Sequence, residues 1–240
     1  MNQLLNKVTI TGADDSVYPE TLLQMSRVYP FVEWGILMSR SNEGSPRFPT
    51  QIWINELIQT IEPSPLGIPL SAHICGYWVR DICRGGLDLY YARKEMLRHF
   101  TRMQLNFHAI THTIEIKPFI AALMNYRELG IKQFIFQLDG VNNDIFEQVH
   151  KRGINAVPLF DTSGGAGILP DKWVSLDNDY CGYAGGLSPD NLTEQLTKIA
   201  QVAHYPIWID VESNVRSFDD KALDLRQESR FLNVAKDWVK

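Results

Sequence analysis

Basic residues are in short supply in this 240-residue chain: 23 lysines and arginines stand against 28 aspartates and glutamates, a formal net charge of −5. No basic block with interleaved aromatics occurs, which argues against nucleic acid or an anionic membrane as a partner. Cysteine is also sparse. Cys75, Cys83 and Cys181 are an odd number without metal-ligand spacing, and they read as reduced thiols of a cytoplasmic protein. No apolar run approaches the ~20 residues of a membrane span. The stretch from Met1 to Lys7 lacks the apolar segment of a signal peptide. Low-complexity tracts, linkers and a second domain are missing too, so one domain over 1–240 is expected.

What is present is an ordinary core-forming composition, 45% hydrophobic and 21% charged. Short apolar or β-branched runs predict eight strands. They are Lys7–Thr11, Phe31–Met38, Pro69–Cys75, Arg102–Asn106, Gln133–Asp139, Ala156–Asp161, Asp179–Ala184 and Ile207–Val211. Helical patterns fall between them at Tyr18–Val28, Pro49–Ile61, Lys117–Leu129, Asn142–Arg152 and Pro189–Val202. Pro49–Ile61 places Ile52, Leu57 and Ile58 on one face, and Ser188 is the expected N-cap of the last helix. Gly130 and Gly153 follow two of the helices as C-caps. Tyr77–Phe100 is longer than a plain connection and predicts a lid or an extra helix. Eight strands alternating with helices predict a single-domain α/β (βα)8 TIM barrel.

Side chains alternate along a strand, so residues two apart share a face. That pairs His73 with Cys75, Gln104 with Asn106, and Gln137 with Asp139, with Asp161 and Asp210 at two further strand ends. Ligand sites of such barrels lie at the C-terminal ends of the strands. Asp161, next to a glycine-rich turn, is the strongest candidate for a proton donor; the alternative is that it caps that turn. Gly185-Gly186 allows close backbone approach to an oxyanion, with the following helix start as a partner. Ser213 and Asn214, after strand 8, can complete the pocket. Arg47, in the loop after strand 2, can pair with a ligand carboxylate or stay a solvated loop charge. Schiff-base chemistry needs an interior lysine, and Lys7 and Lys132 stand at strand starts, the wrong end. His73, His108, Asp139 and Asp161 have no spacing that demands a metal, and none is expected.

The segments Phe160-Asp-Thr-Ser-Gly-Gly-Ala-Gly167, Ala184-Gly-Gly-Leu-Ser-Pro-Asp-Asn191 and Ile209-Asp-Val-Glu-Ser-Asn-Val215 together resemble phosphoribosylanthranilate isomerase. Fainter matches are Ser45-Pro-Arg47, Met103-Gln-Leu105 and Thr9-Ile-Thr-Gly12. The resemblance implies a cofactor-free barrel that performs an Amadori rearrangement on a phosphorylated ribosylamine in tryptophan biosynthesis. It implies Asp161 as the general acid and Arg47 as the contact to the anthranilate carboxylate. Gly185, Gly186, Ser213 and Asn214 match the phosphate cradle, to which Gly164 and Gly165 are added. Gln104, Asn106 and Asp210 are the other expected substrate contacts. The family base is a cysteine closing strand 1; Thr11 stands there, so Cys75, His73 or Asp139 is the expected replacement. Three readings follow: isomerase-type chemistry on a phosphorylated sugar, a non-catalytic phosphometabolite sensor or partner, or an empty site kept for assembly. A monomer or homodimer is expected.

Overall fold

A computed structural model of the chain describes residues 3–65, 67–106, 114–138, 142–176, 180–204 and 206–240. Eight parallel strands close into one barrel in chain order. They are β1 (Leu5–Thr11), β2 (Val32–Met38), β3 (Leu70–Ile74), β4 (Arg102–Leu105), β5 (Gln133–Leu138), β6 (Ala156–Phe160), β7 (Gly182–Tyr183) and β8 (Ile207–Val211). The helices are α1 (Pro19–Val28), α2 (Gln51–Ile61), α3 (Gly76–Cys83), α4 (Asp88–Leu97), α5 (Ile116–Glu128), α6 (Asn143–His150), α7 (Leu192–Ile199) and α8 (Leu225–Lys236). β1 closes the barrel against β8, with Thr9 beside Asp210 and Ile10 beside Val211.

Helices and strands do not alternate strictly. The β3–β4 connection carries both α3 and α4, whereas no helix lies between β6 and β7 among the described residues. Trp173 covers the wall there instead. Its ring packs edge-on to Phe160 and Tyr183, and its indole N–H donates to Gln195 of α7 at 3.0 Å.

Several local expectations need correction. Ile52 is 72% exposed, and the buried stripe of α2 is Trp53, Ile54, Leu57, Ile58 and Ile61. Positions 52 and 57 are five apart, about 140° around a helix, too far to share a face. Ser188 does not cap α7. Its N–H donates to Asn191 Oδ1 at 2.9 Å, Asn191 N–H donates to its Oγ at 3.3 Å, and this turn delays the helix to Leu192. β7 is only Gly182–Tyr183, and Asp179 of the expected strand lies outside the described residues. α8 was not expected; its polar composition hides a buried stripe of Phe231, Leu232 and Ala235.

The outward faces of β1 and β2 bury Val8, Ile10, Val32, Trp34 and Ile36 in the core shared with the helices. The interior is divided. β5 to β8 contribute an apolar cluster of Ile135, Val157, Leu159, Ala184 and Trp208. Gly182 leaves room for that cluster, since a Cβ there would lie 2.2 Å from the Trp208 ring. β1 to β4 contribute polar side chains around Glu33, which is fully buried. Its carboxylate accepts from Lys7 at 2.9 Å, from Thr9 at 2.9 Å and from Arg102 at 2.7 Å. Burial raises its pKa, but Arg102 and Lys7 outweigh that and hold it below the ordinary value. The Arg102 guanidinium lies 4.2 Å from the Trp208 ring centroid and 5.9 Å from that of Tyr180, so the polar and apolar halves meet through cation–π contacts.

Breaking one partner of a buried ion pair leaves an uncompensated charge, at a cost of about 3–5 kcal/mol. Glu33→Ala strands Arg102 in this way. Urea denaturation is expected to show a loss of that order, and a change under about 1 kcal/mol would contradict the assignment.

Candidate functional site

Polar strand ends and turns form one cavity at the C-terminal rim of the barrel, reached by Asp161, Asp210, Glu212, Gln104, Asn106 and Gln137. The turns after β6, β7 and β8 supply its other wall, through Gly164, Gly165, Gly185, Gly186, Ser213 and Asn214.

Asp161 follows β6 directly and is buried. Its Oδ1 accepts from Ser163 N–H at 2.9 Å and Ser163 O–H at 2.7 Å. Its Oδ2 accepts from Gln137 Nε2 at 2.5 Å and Gly165 N–H at 3.1 Å. The carboxylate therefore closes the glycine-rich turn and also borders the cavity. The expected turn-capping role of Asp161 is present, and every contact uses it as an acceptor.

Gly185 and Gly186 have φ of +106° and +65°, a region that favours glycine. A Cβ on Gly186 would lie 2.4 Å from the Leu169 amide nitrogen, and one on Gly185 would lie 3.0 Å from the Ile168 carbonyl oxygen. A Cβ on Gly167 would lie 3.1 Å from the Ser213 side chain. The glycines thus let the β6–β7 connection sit directly on the β7 and β8 turns. Two asparagines engage the carbonyls beneath: Asn191 Nδ2 donates to Gly186 O at 2.9 Å, and Asn214 Nδ2 donates to Leu187 O at 3.0 Å. The amides of Gly185, Gly186, Ser213 and Asn214 donate to no acceptor among the described residues. Unpaired backbone donors beside a cavity form a ready anion seat.

Asp210 sits below this seat. Thr11 Oγ1 lies 2.7 Å from its Oδ1 and 3.5 Å from His73 Nδ1. Gly35 of β2 makes the contact possible, because a Cβ there would lie 2.3 Å from Thr11 Oγ1 and 2.9 Å from the His73 ring. Burial pushes the Asp210 carboxyl up to about 8; Glu212, Asp161 and Glu33 add to the rise, and the Thr11 hydrogen bond opposes it. Asp210 therefore holds a proton at neutral pH. Burial pushes His73 down to about 3, so its imidazole is neutral.

The candidate replacement bases fare differently. Cys75 precedes α3 as its N-cap, with Sγ 3.7 Å from the His73 carbonyl oxygen; the imidazole turns to Thr11 instead. The expected inward Cys75–His73 pair is therefore not formed. Gln104 Nε2 donates to Asn106 Oδ1 at 2.9 Å, and Asn106 Nδ2 donates to Cys75 Sγ at 3.2 Å. Burial pushes the Cys75 thiol up to about 12, which keeps it protonated at neutral pH. Asp139 and His108 lie outside the described residues. Among the described residues no three histidine, cysteine or acidic side chains gather as metal ligands do.

Arg47 is paired with acids of the chain itself. Its Nη1 donates to Glu212 at 2.5 Å and its Nε to Asp220 at 2.8 Å, while its backbone N–H donates to Asp14 at 2.6 Å. It borders a neighbouring outer depression with Ser188, Asn214 and Phe218 rather than the Asp161 cavity. Two contributors had no role in the sequence reading: Glu212, which borders the cavity, and Gly35, which makes room for Thr11. Glu212 lies two residues beyond Asp210, so strand alternation was the signal for it. Gly35 carries no local signal.

Closed parallel strands and a polar cavity at their C-terminal ends define the (βα)8-barrel class, and no described helix is long and apolar enough to cross a membrane. Within that class the fold is like that of phosphoribosylanthranilate isomerases. Monomers of the dimeric phosphoribosylanthranilate isomerase from Thermotoga maritima match with a TM-score of 0.57 at 17% identity, over 97% of this chain and 99% of that one. The N-(5'-phosphoribosyl)anthranilate isomerase from Pyrococcus furiosus matches with a TM-score of 0.51 at 16% identity, over 96% and 98%. A mutant tryptophan synthase α-subunit from the same organism gives 0.53 at 12% identity, over 98% and 97%. At such identities the likeness is one of fold. No protein-family model matches the chain, and no curated protein sequence matches it.

The Asp210 proton links stability to pH. The folded chain keeps this proton between the ordinary carboxyl value of 3.8 and about 8, where the unfolded chain has released it. Stability from this group therefore falls as pH rises through that window. Asp210→Asn keeps an acceptor for Thr11 and does not titrate. Thermal unfolding scans across the window are expected to show the variant gaining on the parent as pH rises. Parallel curves would contradict the buried proton.

Proposed function

We propose that this barrel binds a phosphorylated sugar and moves protons on it, as an aldose–ketose or Amadori-type isomerase. The observation that carries the reading is the placing of four amides with no acceptor among the described residues beside two buried carboxyl groups, Asp161 and Asp210, in one cavity. The amides of Gly185, Gly186, Ser213 and Asn214 hold the phosphate, as backbone nests hold anions. Gly164 and Gly165 shape the wall, and Gln104 and Asn106 meet sugar hydroxyls.

The two carboxyl groups divide the chemistry. Asp210, which carries a proton at neutral pH, donates it to the ring oxygen as the sugar opens. Asp161, used only as an acceptor, takes the proton from the carbon next to the former anomeric centre. This reverses the role that the resemblance implies for Asp161. Thr11 holds Asp210 in place and His73 borders Thr11, so neither is asked to act as a base. A buried, protonated Asp210 and an acceptor-only Asp161 in one cavity supply an acid and a proton acceptor to the same ligand.

A second reading, a phosphometabolite-binding protein without turnover, draws on the four hydrogen bonds that fasten Asp161 to its turn. One set of measurements separates the two. Thermal-shift titration with ribose 5-phosphate, glucose 6-phosphate and inorganic phosphate is expected to stabilise the chain. Asp210→Asn is expected to retain that stabilisation and to lower turnover of any substrate by about 10²–10⁴-fold, the usual size of a general acid–base contribution. Stabilisation without turnover in the parent protein selects the binding reading. No stabilisation by any of the three sinks the phosphate seat.

A further inference from the structure

The charges around the cavity restrict what the phosphorylated ligand can carry at its other end. The carboxyl groups of Asp161, Asp210 and Glu212 border the cavity. No lysine or arginine borders it among the described residues, and none of the residues outside the description is a lysine or arginine. Two arginines, Arg47 and Arg216, border the adjoining outer depression instead, and Arg47 is already paired with acids of the chain. Its Nη1 lies 2.5 Å from Glu212 and its Nε 2.8 Å from Asp220. The nearby Arg216 is buried and is paired with Asp14 at 2.9 Å and with Asp220 at 2.8 Å.

The phosphate seat is made of uncharged amides, so it can neutralise a dianion only through hydrogen bonds. A second acidic group on the same ligand would then face carboxylates with no free cation. It would lose its water without gaining a partner, which is unfavourable. Hydroxyl or amino groups face the opposite situation. The side-chain amides of Gln104, Asn106 and Gln137 and the carboxyl groups of Asp161 and Glu212 line the same cavity, and groups of these types pair with hydroxyls and amines.

Resting on the phosphosugar reading above, we infer that the site selects phosphorylated sugars whose remaining groups are hydroxyls or amines, and rejects those with a carboxylate. The Glu212–Arg47–Asp220 chain is the selecting element. It removes the cation that an acidic substrate, an aryl carboxylate included, would use.

Matched pairs test this directly. Ribose 5-phosphate and 5-phosphoribonate differ only in whether C1 is an aldehyde-level carbon or a carboxylate, and glucose 6-phosphate and 6-phosphogluconate differ likewise. Isothermal titration near neutral pH is expected to give at least tenfold tighter binding of the sugar in one or both pairs. Asp220→Asn, which withdraws one anion from Arg47, is expected to shrink that ratio at least threefold. Equal or tighter binding of the acids overturns the inference and leaves the phosphate seat standing. Binding of neither member of either pair overturns the phosphosugar reading, and the inference with it. An unchanged ratio in Asp220→Asn, with the variant folded by circular dichroism, overturns the role given to Arg47.

Discussion

Barrel closure presses Thr11 of β1 against Asp210 of β8, residues 199 apart in the chain, and the chemistry of the cavity depends on that contact. Parallel strands can close a ring only if inward side chains at each level fit together. At this level they are a hydroxyl, a carboxyl and an imidazole, with Gly35 ceding the space they need. Enclosure removes water, and the loss of water makes Asp210 keep its proton. The same closure that stabilises the fold thus creates a carboxylic acid at neutral pH.

One layer deeper the interior solves a related problem differently. Glu33 is as buried as any residue of the core, yet it stays below its ordinary pKa because Arg102 and Lys7 reach it. Comparing Glu33 with Asp210 shows what decides the state of a buried carboxyl. Both are desolvated, but only one has cations within reach. The Arg102 guanidinium that serves Glu33 also rests on Trp208, so the charged half of the interior is joined to the apolar half rather than isolated from it.

The rim is built by backbone more than by side chains. Glycines at 167, 185 and 186 allow three turns to stack, and Asn191 and Asn214 occupy the carbonyls, so the amides are what remains for an anion. The fold itself is like that of isomerases at 16–17% identity. In the adjoining depression Arg47 is paired with Glu212 and Asp220 of the same chain.

Local pattern carried the strands. Short β-branched and apolar runs such as Ile207–Val211 and the run to Phe160 need only their own residues to be recognised, and the closed eight-stranded barrel follows from their number and spacing. The glycine-rich turns were equally legible, since positive φ at Gly164, Gly165, Gly185 and Gly186 is a local demand. Helix faces were less so. Ile52 read as a core residue and stands in solvent, and the polar sequence of α8 concealed its stripe. What sequence alone could not supply was the partner of each charge. Arg47 is bound by Glu212 and Asp220, which lie 165 and 173 residues away, and Cys75 meets the Asn106 amide rather than the His73 imidazole. Composition and periodicity are properties of neighbours along the chain, so they determined the elements and the rim. Ionisation and pairing depend on desolvation and on distances across the barrel, and only the closed tertiary structure decides those.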